Sequence, residues 1–218
     1  MTLTAREARK QREAEQRRKA IIKIVRKLIR KGGMAEISLR KVAEMAGYST
    51  TVVYSLFDDK AMLITQAMDE DLLELTRILG DAALSQSEPL ARIRAVARAY
   101  VDFGLNHPDE YEIVFMQRRP HASTDQARVE HGNPGQDPYA FARELFRELA
   151  GTGVVSADPG DLDLMTQIFW EGLHGLTSRH IVMGHDDAWF PETPMEQHIE
   201  LMLDVLLTGV LTHFKSRT

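Results

Sequence analysis

Residues 38–57, Ser-Leu-Arg-Lys-Val-Ala-Glu-Met-Ala-Gly-Tyr-Ser-Thr-Thr-Val-Val-Tyr-Ser-Leu-Phe, constrain the fold of this 218-residue chain more than any other stretch. Leu39, Val42, Ala43 and Ala46 give a helix over residues 39–46 one apolar face, with Ser38 placed to cap it. Gly47 follows the last apolar position, where a residue of positive φ ends a helix without a Cβ penalty. Ser49 can cap a second helix on which Val53, Leu56 and Phe57 recur at helical spacing, with Val52 at the edge of that face. Thr50, Thr51, Tyr54 and Ser55 then face outward. Two short helices joined by a glycine turn are the layout of a DNA-reading helix-turn-helix, and hydroxyl donors suit base edges and phosphate oxygens.

Charge points the same way. Residues 1–60 hold 15 Lys and Arg against 7 Asp and Glu, a balance of +8, whereas residues 61–218 hold 12 against 25, a balance of −13. An acidic chain with one basic end fits a phosphate-binding module of residues 1–60 joined to a larger domain, 61–218, with a different partner. Arg6, Arg9, Lys10, Arg12, Arg17, Arg18 and Lys19 crowd the early turns of the first helix. Two readings of them stay open, a solvated face or an arm that follows phosphates or enters a minor groove, and a third, a helix lying on anionic lipid, is disfavoured because no bulky aromatic anchors the apolar stripe. No cysteine is present, which excludes disulfide and thiolate chemistry. Met1 to Lys19 is too polar for the apolar core of a signal peptide, and no run of about 18 apolar residues could span a membrane. A cytoplasmic location without membrane association is expected.

The rest reads as all-α, because apolar residues recur at three and four nearly everywhere. A first helix over residues 5–31 carries the stripe Ile21, Ile24, Val25, Leu28 and Ile29 and stops at Gly32-Gly33. Asp58 or Asp59 can cap a long helix through Met62, Leu63, Ala67, Leu72, Leu75 and Leu79 toward Gly80, a candidate lever between the two domains. Pro89 opens another with the stripe Leu90, Ile93, Ala97, Tyr100, Val101 and Gly104, stopping before Asn106-His107-Pro108. A short helix carries Tyr111, Val114 and Phe115, and residues 118–138 read as an irregular, mobile surface loop. Residues 139–150 resume helical periodicity. Two long segments close the chain, Leu162 to Met183 and Met195 to Phe214, separated by a Gly, Asp and Pro containing linker.

The last segment has apolar residues at Ile199, Met202, Leu203, Leu206, Leu207, Val210, Leu211 and Phe214. That stripe is either an ordinary core face or part of a homodimer interface formed by residues 162–184 and 195–214. A helix-turn-helix buries little surface on DNA alone, and dimers that match palindromic half-sites are the usual solution. Phe103, Tyr111, Phe115, Met116, Phe169, Trp170, His174 and Met183 are candidate linings of an effector pocket, against the alternative that most are plain core.

Gly33, Ser38, Leu39, Arg40, Val42, Ala43, Ala46, Gly47, Ser49, Val53, Tyr54, Phe57, Lys60 and Leu63 together resemble the tetracycline-repressor family of bacterial transcription regulators. In the run Trp-Glu-Gly-Leu-His-Gly, Trp170, His174 and Gly175 resemble the Trp-His-Gly motif of one subgroup. The resemblance implies an all-α protein with an N-terminal three-helix DNA-binding domain and a larger helical ligand-binding and dimerisation domain. It also implies a homodimer that binds a double-stranded DNA operator and is released by a small-molecule effector. Carried over residue by residue, Tyr54 and Lys60 grip phosphates, Ser38 and Arg40 touch the groove edge, and Thr50 and Thr51 at the start of the Ser49-capped helix read bases. Tyr48 stands where the family usually has a small aliphatic residue, so it is expected to stack on or touch the DNA backbone. Val52 replaces a common hydroxyl residue, which favours contact with a thymine methyl.

Two other classes compete. Glu171 and His174 form one Glu-x-x-His pair, but a di-iron site needs a second pair and two further glutamates, and none is found. No catalytic triad order, phosphate loop or dinucleotide fingerprint is present, so neither an enzyme nor a bound cofactor or metal is expected. The other class keeps the DNA-binding dimer and makes the larger domain a module for a protein partner, without an effector.

Overall fold

The computed structural model describes residues 4–118, 128–183 and 193–216. Residues 119–127 of the irregular stretch and 184–192 of the linker lie outside the described residues. Contacts divide the chain into two compact units: Met1–Asp71 with Ile113–Arg128, and Leu72–Glu112 with Val129–Thr218.

In the first unit, α1 (Ala5–Gly32) opens on a capping box in which Thr4 and Glu7 satisfy each other's backbone N–H. Gly33, at φ 72°, turns the chain through one 3-10 turn, Met34–Glu36, into α2 (Leu39–Ala46). Ser38 Oγ accepts from Lys41 N at 3.2 Å, and Gly47 ends α2 in the left-handed region at φ 68°, ψ 26°. Ser49 Oγ accepts from Val52 N at 3.3 Å to start α3 (Thr50–Tyr54). This second helix is shorter than its apolar spacing implies: Leu56 and Phe57 lie in a turn beyond it. Ser55 Oγ donates back to Val52 O at 2.8 Å, and Asp59 Oδ1 already takes Met62 N at 2.7 Å as the cap of the next helix. Phe57 and Val53 are nonetheless fully buried, in a core with Ile21, Ile22, Val25, Leu28, Ile37, Val42, Leu63, Ile64 and Ala67.

The next helix, α4 (Lys60–Leu84), contributes to both units. It runs through Gly80, where the sequence suggested a stop, because the flanking Leu79 and Ala83 are both buried and hold the helix together across the glycine.

The second unit is built from α5 (Pro89–Asn106), α6 (Pro108–Tyr111), α7 (Pro138–Ala150), α8 (Pro159–Met183) and α9 (Met195–His213), with α8 packed against α5, α7 and α9. After α6 the chain widens into one π-helical turn, Glu112–Met116, in place of a continued short α-helix. Leu90, assigned to the buried stripe of α5, is exposed at its first turn. Gly172 allows close approach: a Cβ there would meet Leu206 Cδ2 of α9 at 2.6 Å. Ion pairs brace the same helices. Arg94 and Arg98 of α5 hold Glu200, Asp204 and Glu196 of α9, Arg92 holds Glu148 of α7 at 2.5 Å, and Arg143 holds Asp163 of α8 at 2.5 Å. Ser156 N donates to Phe214 O at 2.7 Å, tying the start of α8 to the end of α9.

The described end of the irregular stretch is anchored: Val129 is buried, and Arg128 pairs with Glu70 at 2.5 Å and Glu15 at 3.0 Å. Of the apolar stripe of α9, Ile199, Leu203, Leu207 and Val210 are buried within the chain, and Met202, Leu206, Leu211 and Phe214 are half-buried.

Candidate functional site

Apart from Tyr48, each residue of the expected DNA-binding set occupies a helix start or an exposed helical face of the first unit. Ser38 and Ser49 are N-caps whose oxygens accept backbone N–H groups, which leaves each hydroxyl proton able to donate outward. Arg40 is exposed on the first turn of α2, and Thr50 and Thr51 are exposed on the first turn of α3. Tyr54 is 56% exposed, although its neighbour Val53 is fully buried. Lys60 is the first residue of α4. Helix starts present unpaired N–H groups and the positive end of the dipole, which favour an anion. Tyr48 differs from the others: it is half-buried and packs on the core of this unit, so its ring braces the turn between α2 and α3. Val52 is half-buried at the edge of α3.

The pocket candidates separate. Phe115 and Met116 follow the chain into the first unit, whereas Phe103, Tyr111, Phe169, Trp170 and His174 belong to the second. There, Phe169 meets Phe146 of α7 edge-on at 5.5 Å, and Phe103 lies 5.2 Å from the ring of His107. Met183 is half-buried at the end of α8. Tyr111, Trp170 and His174 come together around a residue that sequence reading left in the core stripe, Tyr100. Trp170 Nε1 donates to Tyr100 Oη at 3.1 Å, Tyr100 and Tyr111 share a hydrogen bond of 2.8 Å, and Tyr111 Oη lies 2.7 Å from His174 Nδ1. His174 also stacks between Trp170 (5.2 Å, 16°) and Tyr111 (5.6 Å, 18°).

The His174 tautomer sets the direction of this chain. Burial lowers the His174 pKa and favours the neutral ring, and in its Nε2–H tautomer Nδ1 accepts from Tyr111. In that tautomer Tyr111 spends its one proton on His174, and Tyr100 donates to Tyr111 while accepting from Trp170. Burial raises Tyr100 well above the usual phenol value and pushes Tyr111 up to about 12, so both stay protonated. Gly104 on α5 makes room for the cluster: a Cβ there would meet the Thr177 methyl and come within 2.8 Å of the Tyr111 ring. A phenol on an otherwise apolar stripe needs a partner for its hydroxyl, and that was the available signal for Tyr100.

The sequence matches the model of the family described as "Tetracyclin repressor-like, C-terminal domain" over residues 93–206, just over half of the chain. The chain belongs to the tetracycline-repressor family. Solved structures carry the same TetR fold over nearly the whole length. A TetR family transcription regulator from Marinobacter aquaeolei VT8 is 17% identical, with 96% of this chain and 100% of that one covered and a TM-score of 0.66. The fatty acid degradation regulator FadR from Bacillus halodurans is 12% identical over 91% and 97%, with a TM-score of 0.67. A protein of unknown function from Rhodococcus sp. RHA1 is 22% identical over 88% and 94%, with a TM-score of 0.67. No curated protein matches the sequence.

The TetR family model spans the whole Tyr100, Tyr111, Trp170 and His174 cluster as well as the first half of α9. Glu171, the partner of His174 in the Glu-x-x-His pair, is exposed, and among the described residues no group of three or more His, Asp or Glu is placed to hold a metal ion. Among those residues no helix is long and apolar enough to cross a membrane.

Proposed function

We propose that this TetR-family chain is a transcriptional repressor that binds a palindromic operator as a homodimer and releases it when a small molecule enters the second unit. The observation that carries the reading is the exposed face of the helix-turn-helix, with Thr50, Thr51 and Tyr54 outward and Val53 and Phe57 closed into the core behind them. Ser38, Arg40, Ser49 and Lys60 add donors at three helix starts. In this reading Thr50 and Thr51 meet base edges while Tyr54 and Lys60 hold phosphates.

Outward apolar residues support the dimer. The side chains at Leu164, Ile168 and Val182 of α8 and at Leu201 and Val205 of α9 are exposed, on faces opposite the buried stripes. The interface within residues 162–184 and 195–214 is assigned to these faces, because the inner stripe of α9 is consumed by the core. The effector site is assigned beside the Tyr100, Tyr111, Trp170 and His174 cluster, whose aromatic rings and ordered hydrogen bonds combine the apolar and polar groups that a small-molecule site uses. As a member of both units, α4 is the lever between sites, and the effector must favour one of its positions.

The test is fluorescence-anisotropy binding of the chain to the intergenic DNA upstream of its own coding sequence, against a scrambled duplex, alongside a Tyr54→Phe/Lys60→Ala variant. Selective binding that the variant weakens supports the reading. Equal affinity for both duplexes, unchanged in the variant, removes it.

A further inference from the structure

The buried residues of α1 begin only at Ile21, so its opening turns have a purpose other than filling the core. Their carboxylates are all committed. Glu7 closes the capping box with Thr4, Glu13 takes Arg9 at 2.9 Å and Arg17 at 3.9 Å, and Glu15 takes Arg128 at 3.0 Å and Arg18 at 3.9 Å. On the side of the helix turned away from Ile21, Val25 and Leu28 stand Arg12, Lys19, Lys23 and Lys27. All four are exposed, and among the described residues none of the four makes an ion pair or a side-chain hydrogen bond. At about 100° per residue they share an arc of about 80°, and at 1.5 Å per residue they form a ridge about 22 Å long.

This arrangement runs against the habit of the other helices. Arg77 pairs with Glu74 and Asp81, Arg98 with Asp102, and Arg147 with Glu144, all opposite charges at three or four residues. The ridge instead sets Lys19, Lys23 and Lys27 four apart, and like charges at that spacing weaken a helix. A polyanion laid along the ridge turns the repulsion into attraction. The balance of −13 over residues 61–218 repels DNA, and a cation ridge on α1 offsets that field.

We propose that the Arg12, Lys19, Lys23 and Lys27 ridge of α1 is an accessory surface that contacts the phosphate backbone of duplex DNA in addition to the helix-turn-helix. It binds without regard to sequence, because mobile lysine stems carry point charges and reach no base edge in a fixed geometry. The proposal rests on the DNA-binding reading above, but the two fail separately.

The experiment measures affinity for a labelled 40-base-pair duplex of mixed sequence between 50 and 200 mM salt. It compares the full chain, an Arg12→Gln/Lys19→Gln/Lys23→Gln/Lys27→Gln variant and the Tyr54→Phe/Lys60→Ala variant. Each phosphate contact contributes about 0.9 to the slope of log affinity against log salt, so the ridge variant is expected to lower the slope by about 3 to 4. Its circular dichroism and Tm should hold, since glutamine keeps the stem and the helix propensity. A slope change below about 1 in the ridge variant, with affinity still lost in the Tyr54/Lys60 variant, overturns the ridge and keeps the helix-turn-helix. If the ridge variant loses binding to vesicles of 30% phosphatidylserine while its DNA slope is unchanged, the surface belongs to a membrane and the proposal falls. A wild-type chain that does not bind this mixed-sequence duplex even at 50 mM salt overturns the ridge and leaves the operator-binding reading to its own test.

Discussion

His174 carries a pH dependence whose direction follows from its surroundings. Burial holds its folded pKa below the usual histidine value of about 6.5, and no carboxylate is among the causes of that shift. Below about pH 6.5 the unfolded chain therefore takes up a proton that the folded chain resists, so this stability is present above 6.5 and is lost as pH falls through the folded pKa. In the Nε2–H tautomer, protonation of Nδ1 also removes the acceptor of Tyr111. Thermal unfolding of the wild-type chain should show Tm falling from pH 7 to pH 5 more steeply than in His174→Gln; parallel curves would show that the ring is charged or solvent-equivalent when folded. Gly104 is the other position where one atom decides. Gly104→Ala puts a methyl against Thr177 and Tyr111 and should cost about 1–3 kcal/mol in urea unfolding, whereas Gly175→Ala, with no atom within 4 Å of its Cβ position, should cost nothing measurable. Sequence alone singled out His174 and Tyr111, because aromatic and imidazole groups amid apolar stripes stand out. It left Tyr100 in the core because helical spacing says which face is buried and nothing about where a hydroxyl finds its partner.

Among the elements, α1 is held at its start by local interactions and at its end by the core. Thr4→Ala removes the capping box, which costs a typical helix about 1 kcal/mol. Here the loss should appear as faster amide exchange over the first two turns, with Tm changed by less than about 2 °C, because those turns bury no apolar side chain. A large Tm fall would mean that the opening turns are packed. Caps and stops were legible element by element: Ser38, Gly47, Ser49, Asp59 and Pro89 each act where local chemistry places them. Gly80 and the end of α3 were less legible. Packing of Leu79 and Ala83 carries α4 past the glycine, and competition from the next cap shortens α3, and both are relations between neighbouring segments.

For the molecule as a whole, exposed apolar surface on α8 and α9 sets the expected assembly. Leu201→Glu/Val205→Glu places two charges on the outer face of α9 without touching Ile199, Leu203 or Leu207. Light scattering after size exclusion should show a wild-type dimer and a folded monomeric variant, with DNA affinity lower in the variant because one half-site holds less surface. A variant that remains dimeric would place the interface elsewhere. The periodicity of α9 announced a wide apolar stripe, yet which part of it lies inside the chain depends on what packs against it.

The all-α class, the order of the helices, the helix-turn-helix and the concentration of positive charge before residue 60 were determined by the sequence itself. Those properties follow from turn chemistry, helical period and charge, which act over a few residues. Tertiary structure alone decided that Ile113–Arg128 joins the first unit, that Tyr100 completes the Tyr111 and His174 chain, and that Ile199, Leu203, Leu207 and Val210 of the α9 stripe are buried within the chain. Each is a meeting of residues far apart in sequence, set by how close-packed side chains fill shared space, and no local pattern encodes it.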